Sequence, residues 1–382
     1  MRILYLMTEP FGIGGVQSDL LTLSREFTAR GHSVHVATRP GVLLDELKSR
    51  GAVFHDVDTH FGGPAGLVGA AAALRRLARE EEIEILAPQS VRTTIACWAA
   101  TRLMPEAHHR AAAGRRVPII TTIHNIHNPV HFRYGGLILN ACSDHVIFES
   151  HYERDRLTRS GLAAGRSEVV HSGIDTERFR PVGANPELAR RYGLVPGEHV
   201  VFGIVARVSE EKGHAYLVEA FSAVHARHPR ARLLIVGDGP LLAAVKRQAR
   251  ARGVESAIVF AGMQRDIPDH LSLFDVFVLS STRESFPLAA REAMAGGKAV
   301  IAPRIGGCPE VVVDGETGFL FESRNVEDLS SCMMRSVDGE AYRTFGRNAR
   351  ARAERLFSQA QWVDGDERIY MRWITGPYAK AA

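Results

Sequence analysis

Residues 283–297 read RESFPLAAREAMAGG and follow the apolar run FDVFVLSS at 274–281. That run is β-branched and aromatic, as a buried strand should be. The Ala-rich segment after Pro287 has helical composition, and proline suits the first turn of a helix. One acid, Glu284, therefore falls where a strand ends, and a second, Glu292, falls eight positions on, inside the helix that follows. Open α/β sheets bind ligands beyond the carboxyl ends of their strands. This strand–loop–helix unit thus points both to a fold class and to the edge where a site belongs.

The same rhythm extends outward in both directions. RILYLMT, SVHVATR, IEILAPQ, PIITTIHN, HVIFES and SEVVHSG read as strands, with helices expected over Val16–Arg30, Gly66–Glu81 and Ser150–Gly161. The pattern restarts with HVVFGIVARV, ARLLIVGDG, AIVFAG, DVFVLSS, KAVIAPR and TGFLF, separated by helices over Ala215–His228, Leu241–Arg252 and Ile267–Leu273. Near-continuous apolar strands alternating with helices imply parallel sheets covered on both faces. Between the two sets lies DTERFRPVGANPELARRYGLVPGEHV, whose Pro, Gly and charge suit a connection between domains. The expectation is two doubly wound, Rossmann-like α/β domains, 1–180 and 181–355, facing a central cleft. A charged helical stretch over Val326–Trp373 gives a C-terminal helix and tail, 356–382, that packs back towards the first domain.

The chain's 382 residues are enough for two such cores. Hydrophobic residues make up 45% and charged residues 24%, an ordinary globular balance, and no apolar run reaches the ~18–20 residues that span a bilayer. The N-terminus MRILYLMTEPFGIGG runs from a short apolar stretch into a glycine loop, unlike a signal peptide, so a cytoplasmic setting is expected. Cys97, Cys142, Cys308 and Cys332 are too scattered for a zinc motif and read as reduced thiols. No i, i+4 histidine pair with a supporting acid of the metalloprotease type is visible among the 17 histidines, and no metal site is expected. The net charge of +4 favours anionic partners but lacks the basic-aromatic signature of nucleic-acid binding.

Four signals sit at strand ends, each with a plainer reading beside it. EPFGIGGVQ carries Gly12, Gly14 and Gly15 between a strand and a helix, where backbone amides can meet an anion; a tight turn is the plainer reading. The position two after Gly15 is Gln17 and the second strand ends basic, which speaks against a dinucleotide fingerprint and a nicotinamide dehydrogenase. ARVSEEKG places Arg207 and Lys212 after a strand, where two cations neutralise a diphosphate; solvated surface charge is the alternative, with Glu210 and Glu211 beside them. In the opening stretch, Glu284 can accept hydrogen bonds from sugar hydroxyls, the amides after Pro287 can receive phosphate, and Glu292 can take both hydroxyls of a ribose. The alternative pairs Glu292 with Arg291 or Arg283. Finally, His124 ends an apolar strand in TTIHNIHN; it is either a site residue or a structural histidine, with His127 and His131 as nearby competitors.

Taken together, GIGGVQ, VVHSGIDTERFRP, ARVSEEKG, LLIVGDGPL, IVFAG and RESFPLAAREAMAGGKAVIAPRIGGCPEVVVDGETGFLF resemble the retaining nucleotide-sugar glycosyltransferases of family 4, which have the GT-B fold. The resemblance covers most of the chain, and the pair Glu284 and Glu292 is its strongest single match. It implies a hexosyltransferase acting without a metal or other cofactor, with the nucleotide-sugar as substrate and a glycan, lipid-linked or small-molecule acceptor. The setting implied is cell-surface polysaccharide or glycoconjugate synthesis. The first domain would take the acceptor and the second the donor. By the same resemblance, Arg207 and Lys212 would hold the diphosphate, Glu284 the transferred sugar, and Glu292 the ribose. Gly14 and Gly15 would lie near the phosphate and acceptor, His124 near the sugar, and Met263 in the nucleobase pocket. Ser285, Phe286, Pro287 and Leu288 would complete the donor loop. Asn125 stands where many members have Asp, Pro287 where many have Gly, and HSG replaces the commoner NG before Ile174 and Asp175.

The acceptor is less legible. RLMPEAHHRAAAGRRV, Arg102–Val117, sets Arg102, Arg110, Arg115 and Arg116 against Glu106, which suits either a peripheral contact with an anionic inner-membrane face or a solvated loop. Two rivals share the sugar-nucleotide chemistry: an epimerase of the same architecture, which needs no acceptor, and a non-catalytic binding subunit.

Overall fold

The computed structural model describes residues 1–102, 116–124 and 129–376. The chain divides into two compact units, one formed by residues 1–172 with the segment from Ala360 onward, the other by Gly173–Gln359.

Among the described residues the first unit is built on seven parallel strands: β1 (Arg2–Leu6), β2 (Ser33–Thr38), β3 (Val53–Asp56), β4 (Ile85–Pro88), β5 (Ile120–Ile123), β6 (His145–Phe148) and β7 (Ser167–Val169). They form a four-stranded sheet, β3-β2-β1-β4, and a three-stranded one, β5-β6-β7. A parallel bridge between Leu86 and Ile119 joins them into one order. Strands β1, β4, β5 and β6 are buried almost throughout, as a sheet covered on both faces requires. Helix Gly15–Ala29 buries Leu20, Leu23 and Phe27 at helical spacing against one face, whereas Leu74 and Leu77 of helix Gly63–Glu80 belong to a core with Leu4 and Leu6 on the other. The C-terminal helix Gln359–Thr375 lies in the first unit's core, where Trp362, Val363, Ile369 and Tyr370 pack with Ile3, Tyr5 and Phe27.

The second unit holds β8 (Val200–Val205), β9 (Ala231–Val236), β10 (Ile258–Gly262), β11 (Val276–Val278), β12 (Ala299–Pro303) and β13 (Gly318–Phe321), all parallel and ordered β10-β9-β8-β11-β12-β13. Numbered within the unit, this is the 3-2-1-4-5-6 order of a doubly wound sheet, and the order reverses between β8 and β11. The polar stretch after Asp175 is itself folded: Asn185 caps helix Pro186–Arg191, and Phe179, Ala189 and Leu194 enter the second unit's core. Its charge and prolines come from a surface turn and a capped helix rather than from an open connection.

Candidate active site

The reversal point of the second sheet gathers the predicted cations and the first acid. After β8 the chain passes Arg207, makes a tight turn over Glu210–Lys212, and enters helix His214–Arg227 through Gly213 at φ 64°. Only glycine fits there, because a Cβ would also collide with the Ser280 carbonyl oxygen. The loops after β8 and β11 are tied together: the Ser280 hydroxyl donates to the Lys212 carbonyl at 2.9 Å, and the Thr282 amide donates to the Glu211 carbonyl at 2.8 Å. The loop after β9 joins them through the Val208 amide, which donates to the Asp238 carbonyl at 3.0 Å. Held this way, the Lys212 ammonium lies 2.7 Å from a Glu284 carboxylate oxygen, with the Glu284 side chain 9% exposed. Arg207 is exposed and makes no side-chain ion pair among the described residues.

Glu284 is positioned through its backbone as well. Gly306, at φ 55°, and Gly307 in the loop after β12 lie so close to the Glu284 and Ser285 carbonyls that a Cβ on either would collide. Ser285 and Pro287 are buried, and the Phe286 ring sits in the core, edge-on to Phe357 and beneath the Arg291 guanidinium. Any ligand contact of Phe286 would therefore have to come from its backbone. Pro287 caps helix Leu288–Ala295 in extended conformation, immediately before its first turn. Leu288 is half-buried against the core. Glu292 makes no ion pair among the described residues, so the pairing with Arg291 or Arg283 is not formed. Burial pushes its carboxyl up to about 7, against the opposing pull of Arg291 and Arg178. Met263 follows β10 and is 77% exposed.

In the first unit, Gly14 caps helix Gly15–Ala29 in extended conformation, so the glycine loop does run into a helix N-terminus. His124, at the end of β5, is mostly buried. Its Nε2 is 2.8 Å from the Gln89 carboxamide oxygen, and its Nδ1 is 2.9 Å from Glu149 and 3.6 Å from Asp19. Burial pushes the imidazole down, but Glu149 foremost, with Asp19 and Asp366, outweighs it and lifts His124 to about 9. Asp366, on the C-terminal helix, is buried and pushed up to about 8, first by burial and then by the charge of Glu149. Asp19, His124 and Glu149 bring ligand atoms within 4.8 Å of one another, the spacing of a cation site, but the imidazolium between the two carboxylates already supplies a cation there. Sequence reasoning found His124 and missed these partners, which come from separate elements. The one available signal was Glu149, an acid closing an otherwise apolar strand.

The basic segment after Arg102 lies largely outside the described residues, as do Asn125 and His127. Arg102 and Arg116, at its two ends, both pair with the buried Asp144. Two of the four arginines are therefore structural counter-ions rather than part of a free basic face. No helix among the described residues is long and apolar enough to cross a membrane.

Comparison with known proteins identifies the family. Residues 13–178 match the model of glycosyltransferase family 4, and residues 187–352 that of glycosyl transferases group 1. The chain is 26% identical over 376 residues to an N-acetyl-α-D-glucosaminyl L-malate synthase of Bacillus anthracis, covering 94% of each protein. It is 30% identical over 280 residues to a GDP-mannose-dependent α-(1-6)-phosphatidylinositol monomannoside mannosyltransferase of Mycolicibacterium smegmatis, covering 69% of each. A glycosyltransferase structure from Rickettsia africae superposes with a TM-score of 0.84 at 21% identity, covering 98% of both chains. HepE of Anabaena, solved with UDP, gives 0.81 at 22% identity over 97% of this chain and 99% of the other. The chain belongs to the family 4 glycosyltransferases, with the GT-B fold.

Proposed function

We propose that this chain transfers a hexosyl group from a nucleotide-sugar to a hydroxyl of a glycan, lipid-linked or small-molecule acceptor, with retention at the anomeric carbon and without a metal. The observation that carries the reading is the Lys212–Glu284 pair at the sheet's reversal point, with Arg207 exposed on the same loop. Relatives support the donor class: HepE structures hold UDP or UDP-glucose, and the mycobacterial relatives are GDP-mannose-dependent. All the named relatives that carry an activity are transferases or synthases, which favours transfer over an epimerase or a binding subunit.

In this reading Lys212 and Arg207 neutralise the donor diphosphate, joined by the first amides of helix Leu288–Ala295. Glu284 accepts hydrogen bonds from the sugar, Glu292 from the ribose, and Met263 borders the base. Gly14, Gly15 and His124 serve the sugar and acceptor. As the anomeric C–O bond to phosphate breaks, negative charge grows on the diphosphate, where these fixed positive groups stabilise it. The acceptor oxygen bonds to the anomeric carbon on the face the phosphate leaves, and its proton passes to the departing phosphate oxygen. The two cations and the amide dipoles take the electrostatic role that a divalent ion would otherwise fill.

A thermal-shift panel of UDP-, GDP-, ADP- and dTDP-linked sugars tests the reading, since a bound donor stabilises by mass action. One donor class should raise the melting temperature, and Lys212→Ala should abolish the rise. A panel with no shift in the wild-type protein would overturn the assignment.

A further inference from the structure

Away from this chemistry, the first unit brings together two histidines that lie twenty residues apart. In the β2–β3 register His35 pairs with Val53 and Ala37 with His55, so both histidines face the same side of the sheet. That side is covered by helix Gly63–Glu80, and Glu81 follows directly at its C-terminal end. His35 Nδ1 lies 3.0 Å from His55 Nε2 and 4.0 Å from a Glu81 oxygen, and all three donor atoms fall within 4.8 Å of one another. A four-coordinate ion with ligands at ~2.0–2.2 Å sets its donors roughly 3.4 Å apart, so the observed spacings bracket that requirement. His35 is 3% exposed, whereas Glu81 is 39% exposed at its side chain and free to swing by the fraction of an ångström that closure needs.

The outer atoms are arranged to suit. The Ser33 hydroxyl lies 3.0 Å from His35 Nε2. When that nitrogen carries the proton and donates to Ser33, Nδ1 is left with a lone pair directed towards His55 and Glu81, the outer-shell arrangement that holds a ligating imidazole in one tautomer.

We infer that His35, His55 and Glu81 form a site for a divalent transition-metal ion of the zinc class, pinning β2, β3 and the end of helix Gly63–Glu80 together. Two imidazoles and one carboxylate leave a fourth position for water, and the half-buried His55 and Glu81 give the ion a path from solvent. The ion would act on the stability of the first unit, apart from the donor loops of the second.

The test uses the untagged full chain, stripped with chelator and titrated with Co2+ as a spectroscopic probe. The wild-type protein should bind one Co2+ with visible ligand-field bands, which Zn2+ displaces, and Zn2+ should raise its melting temperature. His55→Ala and Glu81→Ala, both at partly exposed positions, should each weaken binding roughly tenfold or more and lose the thermal shift. Absence of the bands at saturating Co2+ would overturn the site, leaving a hydrogen-bonded histidine pair. Unchanged affinity in both variants would also overturn it, by placing the ion elsewhere.

Discussion

Lys212 and Glu284 are 72 residues apart in sequence and 2.7 Å apart in space. The contact spans the point where the strand order of the second sheet reverses, so the two loops that flank it are joined by charge as well as by the Ser280 and Thr282 hydrogen bonds. Removing the ammonium strands a mostly buried carboxylate. Lys212→Ala should therefore cost about 1–3 kcal/mol of stability in the second unit. It should also lower kcat/KM by roughly a hundredfold or more, because a cation aimed at the departing phosphate is lost. Steady-state kinetics beside a melting curve separates the two effects; near-wild-type transfer would remove Lys212 from the phosphate role.

Gly306→Ala tests whether the backbone of Glu284 must be held where it is. The native φ of 55° disfavours alanine, and the new methyl would press on the Glu284 carbonyl. The displaced acid carries its sugar hydrogen bonds and its Lys212 contact with it, so donor affinity should weaken and kcat should fall at least tenfold. A calorimetric donor titration beside kcat measures both, and an unaltered kcat would show that Glu284 tolerates the shift.

The second unit was the more legible of the two in sequence. Its six strands are short, predominantly apolar runs punctuated by Gly, Asp or Pro, and each appears where the pattern placed it. Strand β3 escaped because VFHD is an edge strand with half of its residues exposed and carries no apolar run. Helix Val91–Arg102 escaped because Val91, Thr93, Thr94, Ala96, Cys97, Ala99 and Ala100 are all buried, which erases the amphipathic period. Among the candidate site residues, Lys212 and Glu284 could be singled out because each lies just beyond an apolar strand. Asp19 and Asp366 could not: both are acids on helices, and only tertiary packing turns their faces towards His124. The His35–His55 pair was hidden for a related reason, since strand register rather than sequence spacing makes it.

Glu292 gives donor binding a pH dependence. Its carboxyl is raised to about 7, so the ligand-free protein carries it mostly protonated at pH 6 and mostly ionised at pH 8. Ribose hydroxyls donating to it favour the ionised form. Below about pH 7, binding must therefore expel a proton, and affinity should fall by up to about tenfold per unit of acidification. The sugar-diphosphate itself does not titrate in this range. Calorimetry of the donor chosen by the thermal-shift panel, run from pH 6 to 8, should show tightening with pH, and Glu292→Gln should flatten the profile. A wild-type affinity that is level across the window would contradict the ribose role.

Asp366 and His124 set the pH response of the first unit. Both are raised above their unfolded values, Asp366 to about 8 and His124 to about 9. A raised group binds its proton more tightly in the folded state, so its contribution is greatest below the unfolded value and is lost as pH climbs through the folded one. For Asp366 that loss runs from about pH 4 to about 8, and for His124 from about 6.5 to about 9. Asp366→Asn deletes only the first: the amide matches the shape of the neutral acid and never ionises. It also withdraws the smallest of the charges lifting His124, which should move that imidazole down slightly. The variant should therefore gain stability relative to wild type as pH rises from 5 to 8, at up to ~1.4 kcal/mol per unit, and the difference should level off above about 9. Because two units can melt separately, the reporter should be amide exchange in helix Gln359–Thr375, whose Tyr370 and Val363 share a core with β1. If the difference between variant and wild type does not move with pH, the buried carboxyl is ionised throughout, and the charge balance assigned to His124 fails with it.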